Sequence, residues 1–237
     1  MNNLKFSLLI LLFTFSVTAI SAQYGVRAKY NLNTFSGFDD YIEENIRLDS
    51  DQIFSNNIGF GIDYWFRLKE HRVEFLPELH MGLKTTTTFD DLEGSTDLTY
   101  IGFNFNTQVY IFDLKGDCDC PTFSKQGPSL GKRLFVNLSP GMIYNFKNVD
   151  NDLIDVPIEN QEIVLKLGIG LGFDIGITDL FTITPMINYN WAPALGFDEL
   201  AFIDPLTSTN PEISSSMNQI QFQLRFGFRP DYVKRYR

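Results

Sequence analysis

The sequence predicts an all-β fold, an eight-stranded antiparallel up-and-down transmembrane β-barrel behind an N-terminal signal peptide. Three observations predict it. Eight segments alternate apolar with polar residues, the period-two pattern of a strand with one apolar and one polar face. The segments are long for strands of a soluble protein and match the roughly 9–11 residues of a membrane-spanning strand. The connections between them are short and long in turn, as in a barrel with tight turns at one end.

The N-terminus comes first. Met1 to Lys5 carry a single cation, Phe6 to Val17 are almost wholly apolar, and Thr18 to Ala22 turn small and polar before Gln23. This is the pattern of a signal peptide, with cleavage expected after Ala22. The apolar run falls short of the roughly 20 residues of a spanning helix, and no Cys follows it to carry a lipid. Residues 1–22 are therefore read as signal peptide and residues 23–237 as one outer-membrane barrel domain. Removing Lys5 takes the basic count from 19 to 18 against 29 acidic residues, so the net charge moves from −10 to −11. That balance excludes nucleic acid as a partner, because phosphate contacts need clustered Lys and Arg.

The first strand sets Tyr24, Val26, Ala28, Tyr30 and Leu32 against Gly25, Arg27, Lys29, Asn31 and Asn33. The second sets Ile58, Phe60, Ile62, Tyr64 and Phe66 against Gly59, Gly61 and Asp63; the third sets Val73, Phe75, Pro77 and Leu79 against Glu74, Glu78 and His80. The fourth (101–111) and fifth (134–145) oppose aromatic and aliphatic residues to Asn, Gln, Ser and Gly. The sixth opposes Ile163, Leu165, Leu167, Ile169 and Leu171 to Lys166, Gly168, Gly170, Gly172 and Asp174. The seventh runs from Phe181 to Trp191, and the eighth opposes Ile220, Phe222, Leu224, Phe226 and Phe228 to Gln221, Gln223 and Arg225. Pro77, Pro140 and Pro185 fall inside strands. Proline cannot donate to a ladder, so bulges are expected at all three.

Tight turns are expected around residues 68–71 and 178–180, and long loops over Ser36–Gln52, Thr85–Asp97, Lys147–Gln161 and Ala192–Asn218. The connection Asp113–Lys132 is long where a short one is expected. The four long loops hold 18 of the 29 acidic residues, offset only by Arg47 and Lys147. Such charge either solvates the loops or serves a cation or a protein partner. The basic chain end Lys234-Arg235-Tyr236-Arg237 belongs with the short turns, in the periplasm. Aromatic belts are expected at Tyr24, Tyr64, Phe66, Ile111, Phe112, Phe181, Phe226 and Phe228 on the turn side, and at Tyr144, Phe146, Tyr189 and Trp191 on the outer side.

An eight-stranded barrel is just wide enough for side chains to fill it. Arg27, Lys29 and Arg225 are thus expected to meet Asp63, Glu74, Glu78 and Asp174 inside, with His80 pointing inward beside them. Gly168, Gly170 and Gly172 are expected to leave room for the long arms. The alternative to a salt-bridged filling is a narrow ion path. Glu74 and Glu78 lie about 13 Å apart on one strand face, too far to act as an acid–base dyad. No Ser is recognisably placed beside His80, so a lipid-modifying hydrolase lacks its nucleophile. Two His without clustered ligands make no transition-metal site. No catalytic, cofactor-binding or metal residue is assigned. Cys118 and Cys120 share a long connection in an oxidising compartment, where a strained C-x-C disulfide is expected; redox exchange or metal binding with outside ligands are the other readings. A soluble lipocalin-like barrel would bury the apolar faces, so the direction of each face decides that alternative.

The opening Gly25-Val26-Arg27-Ala28-Lys29-Tyr30-Asn31-Leu32-Asn33 and the segment Phe75-Leu76-Pro77-Glu78-Leu79 resemble the PorT-like outer-membrane β-barrel family of Bacteroidetes. Looser echoes are Leu138-Ser139-Pro140-Gly141 and Ile183-Thr184-Pro185-Met186. Tyr30 stands where that family commonly has Gly. The resemblance implies the fold and the outer membrane and little about activity. The ending Phe226-Gly227-Phe228 resembles the signal read by the barrel-assembly machinery. Expected partners are therefore outer-membrane lipid, that machinery during biogenesis, and an unidentified periplasmic or extracellular protein.

Overall fold

The computed structural model describes residues 23–36, 56–68, 71–89, 94–113, 133–151, 158–178, 180–196 and 214–228. The leader, Cys118 and Cys120, the basic chain end and most of the acidic loop residues lie outside these. The described chain is almost wholly β. Its strands are β1 (Gln23–Ser36), β2 (Asn56–Arg67), β3 (Val73–Phe89), β4 (Gly94–Val109), β5 (Leu134–Asn151), β6 (Ile158–Phe173), β7 (Ile175–Gly176), β8 (Phe181–Gly196) and β9 (Ser214–Phe228). Among the described residues, a 3-10 turn covers Ile111–Asp113. The two-residue β7 continues β6 after a break at Asp174 and keeps the same register on β8, so the wall contains eight strands.

Each strand pairs antiparallel with its chain neighbour, and β1 closes on β9 from Tyr24↔Phe228 to Ser36↔Ser216. The result is a closed up-and-down barrel without a free edge along its shared height. Period two explains its two faces. Val26, Ile62, Leu79, Leu165 and Ile169 point outward, with Ile163 68% and Leu165 66% exposed, while Arg27, Asn31, Glu78 and Asn137 are buried inside. An apolar outside around a polar inside is the arrangement of a membrane barrel. It is the reverse of a lipocalin, which excludes that alternative.

The turn end is tied by backbone bonds. Leu68 donates to Val73 O at 3.1 Å, and Ile177 and Thr178 both donate to Phe181 O. Thr178 Oγ1 accepts from the amides of Leu180 and Phe181. Above these turns the rings form a belt: Tyr24, Tyr64, Phe66, Phe75 and Phe105 stand in a row with centroids 5.2–6.2 Å apart, and Phe181 meets Phe228 at 5.1 Å. At the opposite end Tyr144 packs on Phe146 at 4.7 Å. Phe75 and Phe105 extend the expected turn-side girdle.

Two expectations are corrected. The strands run further than the alternation, with β5 reaching 18 residues and β3 17. Thr85–Phe89, Gly94–Asp97, Lys147–Asn151, Ile158–Gln161, Ala192–Gly196 and Ser214–Asn218 are strand where long loops were expected. The physical reason is that the outer face of a strand above the bilayer meets water instead of lipid. The apolar alternation therefore stops at the membrane surface while the hydrogen-bond ladder continues.

The prolines are the second correction. Pro77 keeps its ladder with β4 and loses two pairs on its β2 side, yet Asp63↔Glu78 and Phe66↔Phe75 flank that gap in one register. Pro140 and Pro185 behave alike, each opening the ladder on one side without a shift. No bulge forms because the flanking pairs hold the register and only the missing donor is lost. The Asn106 side chain donates to the carbonyl of Leu76, beside Pro77, at 3.1 Å. The register shifts fall instead at Gly82/Thr85 and at Ala192/Leu195, where Pro193 sits.

Candidate functional site

The interior of the barrel is the site to consider, since that is where the polar side chains converge. Its centre is an ion-paired cluster supplied by β1, β2, β3 and β9. Arg27 Nε lies 2.7 Å from Asp63 and its Nη1 3.5 Å from Glu78; Lys29 Nζ lies 2.5 Å from Glu78; Arg225 reaches Asp63 with Nη2 at 2.7 Å. Arg225 also donates through Nε, at 2.8 and 3.0 Å, so it grips Asp63 with both arms of its fork. Asn104 and Asn106 donate to Glu78 at 3.3 and 2.9 Å. Two carboxylates thus hold three cations, all out of water. Such a cluster adds little net stability against an apolar filling but is costly to break from one side.

Glu74 and Asp174 are buried as expected and belong to a different group nearer the turn end. Tyr110 Oη donates toward both, at 3.1 Å to Glu74 and in a short bond to Asp174. Trp65 Nε1 donates to Glu74 at 2.6 Å, and Thr184 Oγ1 to Asp174 at 2.5 Å. The Arg72 guanidinium lies over the Tyr110 ring at 4.3 Å. Glu74 and Glu78 therefore sit in separate clusters, as their spacing implied. His80 follows Glu78 on the inward face of β3 but makes its own contacts elsewhere: its Nε2 lies 3.5 Å from Lys166 Nζ, and its ring meets Tyr100 edge-on at 6.0 Å.

Above the charges lies a layer of neutral amides. Asn31 donates to Asn57 at 2.5 Å and to Tyr100 Oη at 2.9 Å, and accepts from Gln221 at 2.7 Å. Gln219 donates to Asn33 and accepts from Asn190, both at 2.8 Å.

Apolar side chains bound the central ion-paired cluster on both sides, and on the turn side they lie between it and the Glu74–Asp174 group. At the turn end Tyr110, Phe135 and Met186 pack as a buried cluster, with Leu76 also fully buried. At the loop end Phe35, Leu98, Ile143, Val164, Ala192 and Met217 are buried on the inward face. Phe35, Leu98, Ile143 and Met217 surround a cavity of about 10 Å³, which is room for about one water. The filling is thus layered, with apolar side chains between polar groups, rather than a uniform polar plug. The caps were legible in principle: the polar parity of β1, β4, β5, β6 and β9 turns apolar toward the loop end at Phe35, Leu98, Ile143, Val164 and Met217. Lys166, Trp65, Tyr100 and Tyr110 were missing from the expected network for a similar reason. Their parity points inward, but their partners are set by strands far away in sequence.

The interior glycines make the room. A Cβ on Gly25 would lie 2.5 Å from Arg225 Nε and 2.6 Å from Asp63, and one on Gly102 would lie 2.5 Å from the His80 ring. The space over Gly168, Gly170 and Gly172 goes to Asn190, Asn188 and Phe135, not to the long charged arms as expected. The arms cross β1 and β9 instead, because Gly25 and Gly227 face one another there. Gly102→Val pushes a branched side chain against His80 and against Met142 O, 2.8 Å from the Cβ position. It is expected to lower stability by about 1–3 kcal/mol, read as a lower urea midpoint of the refolded barrel; an unchanged midpoint refutes the packing account.

No protein-family model matches the chain, and no curated protein sequence matches it. Solved structures share its overall shape. The attachment invasion locus protein Ail of Yersinia pestis superposes with a TM-score of 0.49 at 10% identity, covering 87% of this chain and 97% of that one. Neisserial surface protein A gives a TM-score of 0.44 at 12% identity, covering 86% and 96%. A major outer membrane protein from Thermus thermophilus gives 0.47 at 8% identity, covering 87% and 99%. These are likenesses of shape, and the chemistry of this chain rests on its own side chains.

Proposed function

We propose that the protein is a sealed, non-enzymatic barrel of the outer membrane that supports the envelope or presents its outer end to a partner. One observation carries this reading: an ion-paired core, bounded by apolar side chains on its turn side and its loop side, fills the barrel. A narrow channel would need a continuous wet path through those layers, and a lipid-modifying enzyme would need a nucleophile and base together. Strands that continue past the apolar band toward the acidic loops favour presentation outside the cell. The leader-like N-terminus and the apolar exterior support the outer membrane as the location. In that orientation the turns and both ends of the mature chain are periplasmic. Kinship with PorT-like barrels belongs to the same proposal and rests on the segments at Gly25 and Phe75.

Purified mature protein in planar bilayers is expected to show no stepwise conductance. Reproducible unit steps from a preparation free of porins would overturn the sealed reading. Alkaline carbonate washing of envelopes is expected to leave the protein in the membrane, and its release without detergent contradicts the location.

A further inference from the structure

We propose that the barrel interior holds one monatomic anion of halide type beside Lys166. Among the described residues, six cations are buried: Arg27, Lys29, Arg72, Lys147, Lys166 and Arg225. Four carboxylates are buried with them, Asp63, Glu74, Glu78 and Asp174. Lys147 leaves this group by pairing with the half-buried Glu162 at 3.3 Å. Five cations then face four carboxylates, so one positive charge is left over.

Geometry assigns that charge to Lys166. Its side chain is buried, and the one polar neighbour its ammonium meets is His80 Nε2, at 3.5 Å. An imidazole nitrogen is neutral when it accepts, so it supplies no counter-charge, and Glu78, the carboxylate whose charge reaches Lys166, is already held by Lys29 and Arg27. A buried charge without a counter-charge costs several kcal/mol. Lys166 also lines the cavity of about 10 Å³ below the loop-end cap. Asn145 lines the same cavity, and its Nδ2 is buried with no acceptor. An ammonium with N–H groups beyond its one contact to His80, and an amide nitrogen without an acceptor, therefore line one space of monatomic size. Buried donors without partners are rare in folded proteins, and each calls for an acceptor. A single anion satisfies both donors and balances the charge. Water would satisfy Asn145 but leave the charge.

The site lies between the apolar cap and the amide layer, so the anion is enclosed as the barrel closes and leaves when it opens. Chloride is the natural occupant, and bromide is the probe. Mature protein is refolded into detergent in sodium bromide, then exchanged into sodium gluconate and crystallised. The expected result is an anomalous bromine peak within contact of Lys166 Nζ and Asn145 Nδ2, absent from Lys166→Met. Stability supplies a second reading, because a ligand bound only by the folded state raises the unfolding midpoint with its concentration. The wild-type urea midpoint is expected to rise with bromide at constant ionic strength set by gluconate. Ordered water at the site, a bromine peak that persists in Lys166→Met, or a wild-type midpoint indifferent to bromide overturns the proposal. If Lys166→Met fails to fold, the wild-type peak and midpoint decide.

Discussion

Asp63→Ala is expected to be the most damaging single substitution in the barrel. Asp63 accepts from Arg27 at 2.7 Å and from Arg225 through two nitrogens. Its removal takes from Arg225 the carboxylate it grips and leaves Arg27 only the longer pair to Glu78 at 3.5 Å, with both guanidinium groups buried. Breaking one partner of a buried pair costs about 3–5 kcal/mol, and here two pairs share the lost carboxylate. The urea midpoint of the refolded protein measures this, and a midpoint close to that of the wild type would show the cluster to be hydrated. A companion variant separates charge from packing. Replacing Asp63, Arg27 and Arg225 together by apolar residues of similar size removes the stranded charges, and is expected to recover most of the loss.

Ile187→Arg is expected to destabilise by about 2–4 kcal/mol, while the same change near the rim costs about 0–1. Ile187 points outward on β8 between Phe181 of the turn-side belt and Trp191 of the outer belt, and is 45% exposed. Its neighbour Asn188 points inward and is buried. Arginine at 187 therefore places a charge at mid-height in the lipid, whereas Phe181→Arg lets the side chain reach the headgroups. Refolding into vesicles followed by urea titration reads the difference between the two. Equal costs at the two heights would mean that the band is not where the belts place it.

Period two made most of the wall legible. Each of Arg27, Lys29, Asp63, Glu74, Glu78, His80, Asp174 and Arg225 is buried on the inward face, because side-chain direction in a strand follows from parity alone. Partner choice was less legible. Arg27 and Asp63 are 36 residues apart, and Arg225 and Asp63 are 162 apart. Nothing local distinguishes Asp63 from Asp174 as their acceptor. The ladder does so, by setting Arg225 level with Arg27 and Asp63 level with Gly25. The same ladder hands Asp174 to Tyr110 and Thr184.

The sequence by itself determined the strand faces, the membrane-facing exterior, the filled interior and the residues that fill it. Those properties are sums of local preferences, and alternation records them directly. Only the tertiary structure decided where each strand ends, how the prolines are absorbed, which charges pair, and that apolar side chains bound the central ion-paired cluster on both sides. These depend on register between strands distant in the chain, and on how far the ladder continues beyond the lipid. Register also leaves Lys166 beside His80 and a cavity, instead of beside a carboxylate. The three cations and four carboxylates expected on the inward faces are thus joined, among the described residues, by a further buried cation at Lys166.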